Sequence, residues 1–119
     1  MNAFAWLVIG HLVGDWLLQS DWMAQGKKLG MLKPAGLVHF MIYTATIMGA
    51  FWLSGVRGKP PALYMALGAV VFLSHWLIDS TCLVERWMQF YRQSNLEVVR
   101  LMVDQTLHLL VLATLAVSI

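Results

Sequence analysis

Every histidine in the chain, His11, His39, His75 and His108, falls inside a long apolar segment, and so do three of its six acids, Asp15, Asp79 and Asp104. Three of those segments carry a His and an Asp at i, i+4: His11 with Asp15, His75 with Asp79, and Asp104 with His108. On an α-helix that spacing puts both side chains on one face, about 5–6 Å apart at Cβ. Imidazole nitrogen and carboxylate oxygen are the usual ligands of Zn²⁺ and also suit Mn²⁺ or Fe²⁺. The seven residues therefore read as ligands of a divalent metal, Zn²⁺ first, as one ion or as two bridged by a carboxylate. An aspartate outside the ligand set would act as general base, with Asp15 and Asp104 as candidates. Gln19, Gln105 and Arg100 stand one helical turn or less from a ligand. The two glutamines suit a metal-bound water, a substrate carbonyl or the adjacent backbone. Arg100 would snorkel to the interface or bind a substrate phosphate or carboxylate.

The elements that must hold these residues follow from composition. Of 119 residues, 60% are hydrophobic and only 12% charged, with a mean hydropathy of +0.69. Soluble domains sit nearer half apolar and a quarter charged, so an ordinary soluble fold and a disordered segment are both excluded. A net charge of +2 from scattered basic residues speaks against nucleic acid as a partner. Four apolar stretches, about 3–18, 35–53, 62–84 and 96–118, each approach the ~20 residues that a bilayer-crossing helix needs. Pro34 and the pair Pro60-Pro61 precede the second and third, as suits helix starts. No period-2 alternation supports a barrel. The expectation is an all-α integral membrane bundle of four helices forming one domain over residues 1–119. The mixed aromatic and charged segment from Glu85 to Asn95 suits a short interfacial helix between spans three and four.

Lys27, Lys28, Lys33, Arg86 and Arg92 fall in the first and third connections, against Arg57 and Lys59 in the second. That asymmetry makes the first and third connections cytoplasmic and both termini periplasmic, in a bacterial inner membrane. Trp22 and Trp87 then sit at the cytoplasmic interface, and Trp52 and Tyr64 at the opposite one. The N-terminus has no basic n-region and does not read as a cleavable signal. An aspartate near the middle of a span costs about 2.5–3.5 kcal/mol, so three of them must face the bundle interior. At ~1.5 Å per residue, all seven ligand candidates lie roughly 5–18 Å below the cytoplasmic surface. They form one site in one leaflet.

The stretch His11-Leu12-Val13-Gly14-Asp15-Trp16-Leu17-Leu18-Gln19, followed by Trp22 and Lys27 or Lys28, resembles the opening motif of an uncharacterised family of small bacterial and phage membrane proteins. His39, the stretch from His75 to Asp79, and Asp104-Gln105-Thr106-Leu107-His108 resemble its later motifs, so the likeness covers nearly the whole chain. That family brings no activity with it. More distantly, the motif style is similar to that of membrane-bound metal-dependent hydrolases, which implies a hydrolase.

Other features read more simply. Gly10 and Gly14 form a small-x-x-x-small pair suited to close helix packing. Cys82, the single cysteine, excludes an internal disulfide and reads as a small packing residue; the eight methionines read as core filler. Ser74, Ser80 and Thr81 lack the surroundings of a nucleophile. No glycine-rich phosphate loop is present. The function expected is a metal-dependent hydrolase acting on a lipid or other amphipathic ester, amide or phosphoester, with the bilayer as its other partner. One alternative is a metal-ion or proton transporter, against which the apolar outer halves of the spans argue. Another is a non-catalytic membrane effector whose His/Asp network only stabilises the bundle. The short first span leaves room for a homodimer.

Overall fold

A computed structural model describes residues 2–29 and 32–119. Six α-helices appear among the described residues, and no strand: α1 (Ala3–Leu12), α2 (Asp21–Gly26), α3 (Pro34–Leu53), α4 (Pro61–Ser80), α5 (Leu83–Phe90) and α6 (Glu97–Ser118). α1 continues into one π-helical turn, Val13–Leu17, and α2 into a 3₁₀ turn, Lys27–Leu29. α3, α4 and α6 are long and apolar enough to cross a membrane, whereas Ala3–Leu17 is shorter. The longest dimension, 45 Å, matches the ~40–45 Å of a bilayer with its headgroups.

Local chemistry sets the helix starts. Asn2 Oδ1 accepts the Ala5 N–H at 2.8 Å, and Ser20 Oγ accepts that of Met23 at 3.3 Å. Pro34 and Pro61 open α3 and α4, where a missing N–H costs nothing. Gly55 and Gly58 turn the chain between α3 and α4 at φ of 91° and 69°.

α3 is the central helix. Its Tyr43, Ile47, Ala50 and Phe51 join Leu7 of α1, Leu67 and Val71 of α4, and Leu112 and Leu115 of α6 in one apolar core. α5 lies beside α6, burying Val84 and Met88 against Val99, Val103 and Leu107. Gly10 and Gly14 let α1 approach α3. A Cβ on Gly10 would stand 2.9 Å from Ala50 Cβ, and one on Gly14 would strike the Thr46 hydroxyl and lie 3.1 Å from Tyr43 Cα.

Several expectations need correction. The third helix does not reach Val84. It ends at Ser80, where Thr81 is extended, and Val84 belongs to α5. Ser80 and Thr81 hydroxyls donate to the backbone carbonyls of Lys27 and Leu77, so hydrogen bonding of these short polar side chains to backbone marks the break. Cys82 is exposed rather than packed, standing just before α5 at that break. Of the methionines, Met23 and Met88 are buried, but Met41, Met65 and Met102 point outward, and Met1 and Met31 lie outside the described residues. α2 and its 3₁₀ turn add an element to the first connection.

Candidate metal centre

Three helical segments deliver the polar side chains to one point. Asp15 comes from the π-helical turn after α1, His39 from the first half of α3, and His75 with Asp79 from the last half of α4. Asp15, His39, His75 and Asp79 each offer one ligand atom, and these lie within 4.8 Å of one another. His39 Nε2 is 2.8 Å from His75 Nε2, 3.3 Å from Asp15 Oδ1 and 3.5 Å from Asp79 Oδ2. His75 Nε2 is 3.6 Å from Asp15 Oδ1 and 3.0 Å from Asp79 Oδ2. Around a tetrahedral Zn²⁺ with ~2.0–2.1 Å bonds, neighbouring ligand atoms stand about 3.3 Å apart. The five separations, 2.8 to 3.6 Å, bracket that edge length.

Burial sharpens the point. The Asp15 and Asp79 side chains are 2% and 0% exposed, yet Asp15 Oδ1 and both Asp79 oxygens have no hydrogen-bond partner. A buried, unsatisfied acceptor costs free energy, more so when charged. Acceptors converging with no aligned hydrogen-bond donor suit a cation, and the Lys27 ammonium already stands beside them.

Surrounding bonds orient the donors. The Asp104 carbonyl can only accept, so His108 Nδ1 donates to it at 2.8 Å. In neutral His108 the Nε2 then accepts from His75 Nδ1, also at 2.8 Å. His75 Nε2 is left with its lone pair aimed at the cluster, the tautomer a metal-binding histidine needs. Gln105 works similarly: its NH₂ donates to Asp15 Oδ2 at 3.3 Å and Asp104 Oδ2 at 3.0 Å, while its Oε1 accepts from His11 Nε2 at 2.7 Å. Tyr43 donates its hydroxyl to His11 Nδ1 at 2.9 Å. With both ring nitrogens engaged, His11 stands outside the ligand group expected of it, as a supporting residue. Asp104 and His108 form a second group with Asp15, again within 4.8 Å.

Of the other expected residues, Gln105 thus contacts His11, Asp15 and Asp104 rather than the neighbouring backbone. Gln19 joins neither group. Arg100 is tied to Glu85 of α5 and to Asn95 at 3.0 Å, and belongs to neither group. Two residues were not anticipated. Tyr43 stacks on His75, ring centroids 3.7 Å apart and 10° from parallel. It is the i+4 neighbour of His39 and so shares its face, a readable signal. Lys27 sends its ammonium to 3.2 Å from Asp79 Oδ2 and 3.8 Å from Asp15 Oδ1. Its burial opposes the charge, but Asp79 and Asp15 together hold its pKa above the ordinary lysine value.

An open cleft of about 530 Å³ reaches Asp79 and Asp104 from one end of the bundle, lined also by Lys27, Lys28, Glu85 and Arg100. On the other side of the cluster the apolar core closes the path.

A family model described as a protein of unknown function, DUF3307, matches residues 3–119. The chain belongs to the DUF3307 family. Every residue of the His/Asp cluster, with Lys27 and Tyr43, falls within the matched DUF3307 region. No curated protein and no solved structure matches the chain.

Proposed function

We propose that the protein is a divalent-metal-dependent hydrolase set in a membrane, acting on a lipid or another amphipathic ester, amide or phosphoester. One observation carries this reading: four buried donor atoms spaced like the corners of a zinc tetrahedron, with carboxylate oxygens that no aligned hydrogen bond satisfies. A catalytic ion keeps one position open, so His39, His75 and Asp79 are the holding residues. A bound divalent ion supplies Lewis acidity, making water nucleophilic near neutral pH and polarising the scissile bond. Asp15, fixed at Oδ2 by Gln105 and without a hydrogen bond at Oδ1, is the proton acceptor. Asp104, on the cleft wall, is the second acid–base group and passes the proton outward.

The five-to-two excess of basic residues in the first and third connections supports an inner-membrane location with the cleft at the cytoplasmic headgroups and both termini periplasmic. An amphipathic substrate could present its polar group there without leaving the bilayer. The packed apolar core beyond the cluster favours this reading over ion or proton conduction, which requires a polar path through both leaflets.

The test is elemental analysis of detergent-purified protein beside Asp79→Ala, followed by hydrolysis assays on phospholipids and model phosphoesters. Stoichiometric Zn²⁺, Mn²⁺ or Fe²⁺, lost in the variant together with a hydrolytic activity, is the expected result. Protein that takes up no metal even after supplementation sinks the proposal.

A further inference from the structure

Lys27 is the feature that the hydrolase reading leaves over. It belongs to a short turn, not to a spanning helix, yet its side chain is only 16% exposed and its ammonium approaches both carboxylates of the ion cluster. Its backbone carbonyl is fastened to the end of α4 by the Ser80 hydroxyl. The side chain is long and unbranched, and it lines the open cleft. The ammonium can therefore swing from the carboxylates into solvent while the backbone stays anchored.

The contacts satisfy charge but not direction. At 3.2 and 3.8 Å the ammonium neutralises part of the carboxylate charge, while Asp15 Oδ1 and both Asp79 oxygens remain without a hydrogen bond. Lys27 holds Asp79 at close range and Asp15 by charge alone, from a side chain that reaches in from the cleft wall.

We propose that Lys27 is the resident counter-cation of the ion cluster, and that a divalent metal binds by displacing its ammonium from Asp79 and Asp15 into the cleft. This inference rests on the metal reading above. Charge counting gives it a consequence. Asp15 and Asp79 with Lys27 sum to a formal −1. Exchanging the ammonium for Na⁺ or K⁺ leaves that sum at −1, whereas a divalent ion brings it to zero. The displaced ammonium regains water in the cleft, which lowers the cost of leaving. Lys27 thus lowers the affinity for every displacing cation by the same factor, and sets a threshold that a divalent ion, with its larger gain at two carboxylates, passes more readily than a monovalent one. It also keeps two buried carboxylates partly neutralised when no metal is present.

The experiment is titration calorimetry of Zn²⁺ and Mn²⁺ into metal-stripped, detergent-purified wild type, Lys27→Met and Lys27→Arg, with thermal melts of each before and after loading. Lys27→Met should bind Zn²⁺ at least about tenfold more tightly, the scale on which losing a competing buried ion pair shows. Its metal-free melting temperature should fall, and metal should restore most of the difference. Lys27→Arg keeps the competing charge and should stay near wild type. If Lys27→Met is unstable without metal, it can be purified loaded and its affinity read by chelator competition. Equal or weaker binding in Lys27→Met, with wild type binding stoichiometrically, overturns the exchange and leaves the metal site intact. No binding in wild type or variants sinks the metal reading itself and the exchange with it.

Discussion

In α4 an uninterrupted helix carries His75 and Asp79 on one face, their polar atoms 3.0 Å apart and both turned to the His/Asp cluster. At the end of α1 the same spacing joins His11 to Asp15, but the backbone passes between them into a π-helical turn, with Leu18 N–H bonded to the Val13 carbonyl at 2.9 Å. The wider turn changes the angular step along the chain. His11 faces Tyr43 and Gln105, and only Asp15 reaches the cluster. Identical spacing thus brings both side chains of one pair into the His/Asp cluster and only the aspartate of the other. Gly14 permits the difference, since a side chain there would strike Thr46 and Tyr43 of α3.

The sharpest way to break this contrast is to delete the histidine of each pair. His75→Ala should lose metal altogether, a loss beyond the roughly 10–100-fold that supporting residues cost. His11→Ala should keep stoichiometric metal. Elemental analysis of both variants decides it, and equal metal loss would make the two pairs equivalent and the distinction wrong.

Next in size is the glycine in the π-helical turn. Gly14→Ala forces a methyl against the Thr46 hydroxyl and the Tyr43 backbone, so α1 must move off α3. Overpacking of this kind costs about 1–3 kcal/mol. A thermal melt in detergent should show the loss, and metal affinity should fall with it as Asp15 shifts. An unchanged melt would mean the α1–α3 contact has slack.

A smaller effect is expected when only the supporting network is cut. Gln105→Leu removes the donors to Asp15 and Asp104 and the acceptor for His11. About a tenfold loss of metal affinity is expected, at the low end for a residue that orients ligands. Calorimetry measures it. A loss as large as that of His75→Ala would make Gln105 a ligand rather than a support.

The apolar stretches and their proline starts were legible because burial in a bilayer demands long uniform hydropathy, and helices begin where the N–H is not needed. The polar cluster was legible as a set because ionisable groups inside spans have nowhere else to go. Its internal assignment was not. His11 and His75 look alike in sequence, and the π-helical turn that distinguishes them depends on how closely Gly14 meets α3. Lys27 read as a topology charge because the short helix that carries it inward is signalled only by the Ser20-Asp21 start. Thr81 ended α4 four residues before the hydropathy did, since two hydroxyls bonding to backbone outweighed an apolar Cys-Leu-Val run.

The smallest test concerns a glycine in the other helix of the comparison. Gly68 lies within α4, and a Cβ built there meets nothing within 4 Å. Glycine in a helix interior forfeits about 0.5–1 kcal/mol relative to alanine through backbone entropy. With no neighbour to strike, Gly68→Ala should therefore raise stability by that amount and leave metal content unchanged. The same substitution has opposite signs at Gly14 and Gly68 because one glycine is required by a close approach and the other is not. A melting temperature lowered by Gly68→Ala would reveal a partner on that face of α4, a second copy of the chain among them, and cross-linking of the wild type in detergent would identify it.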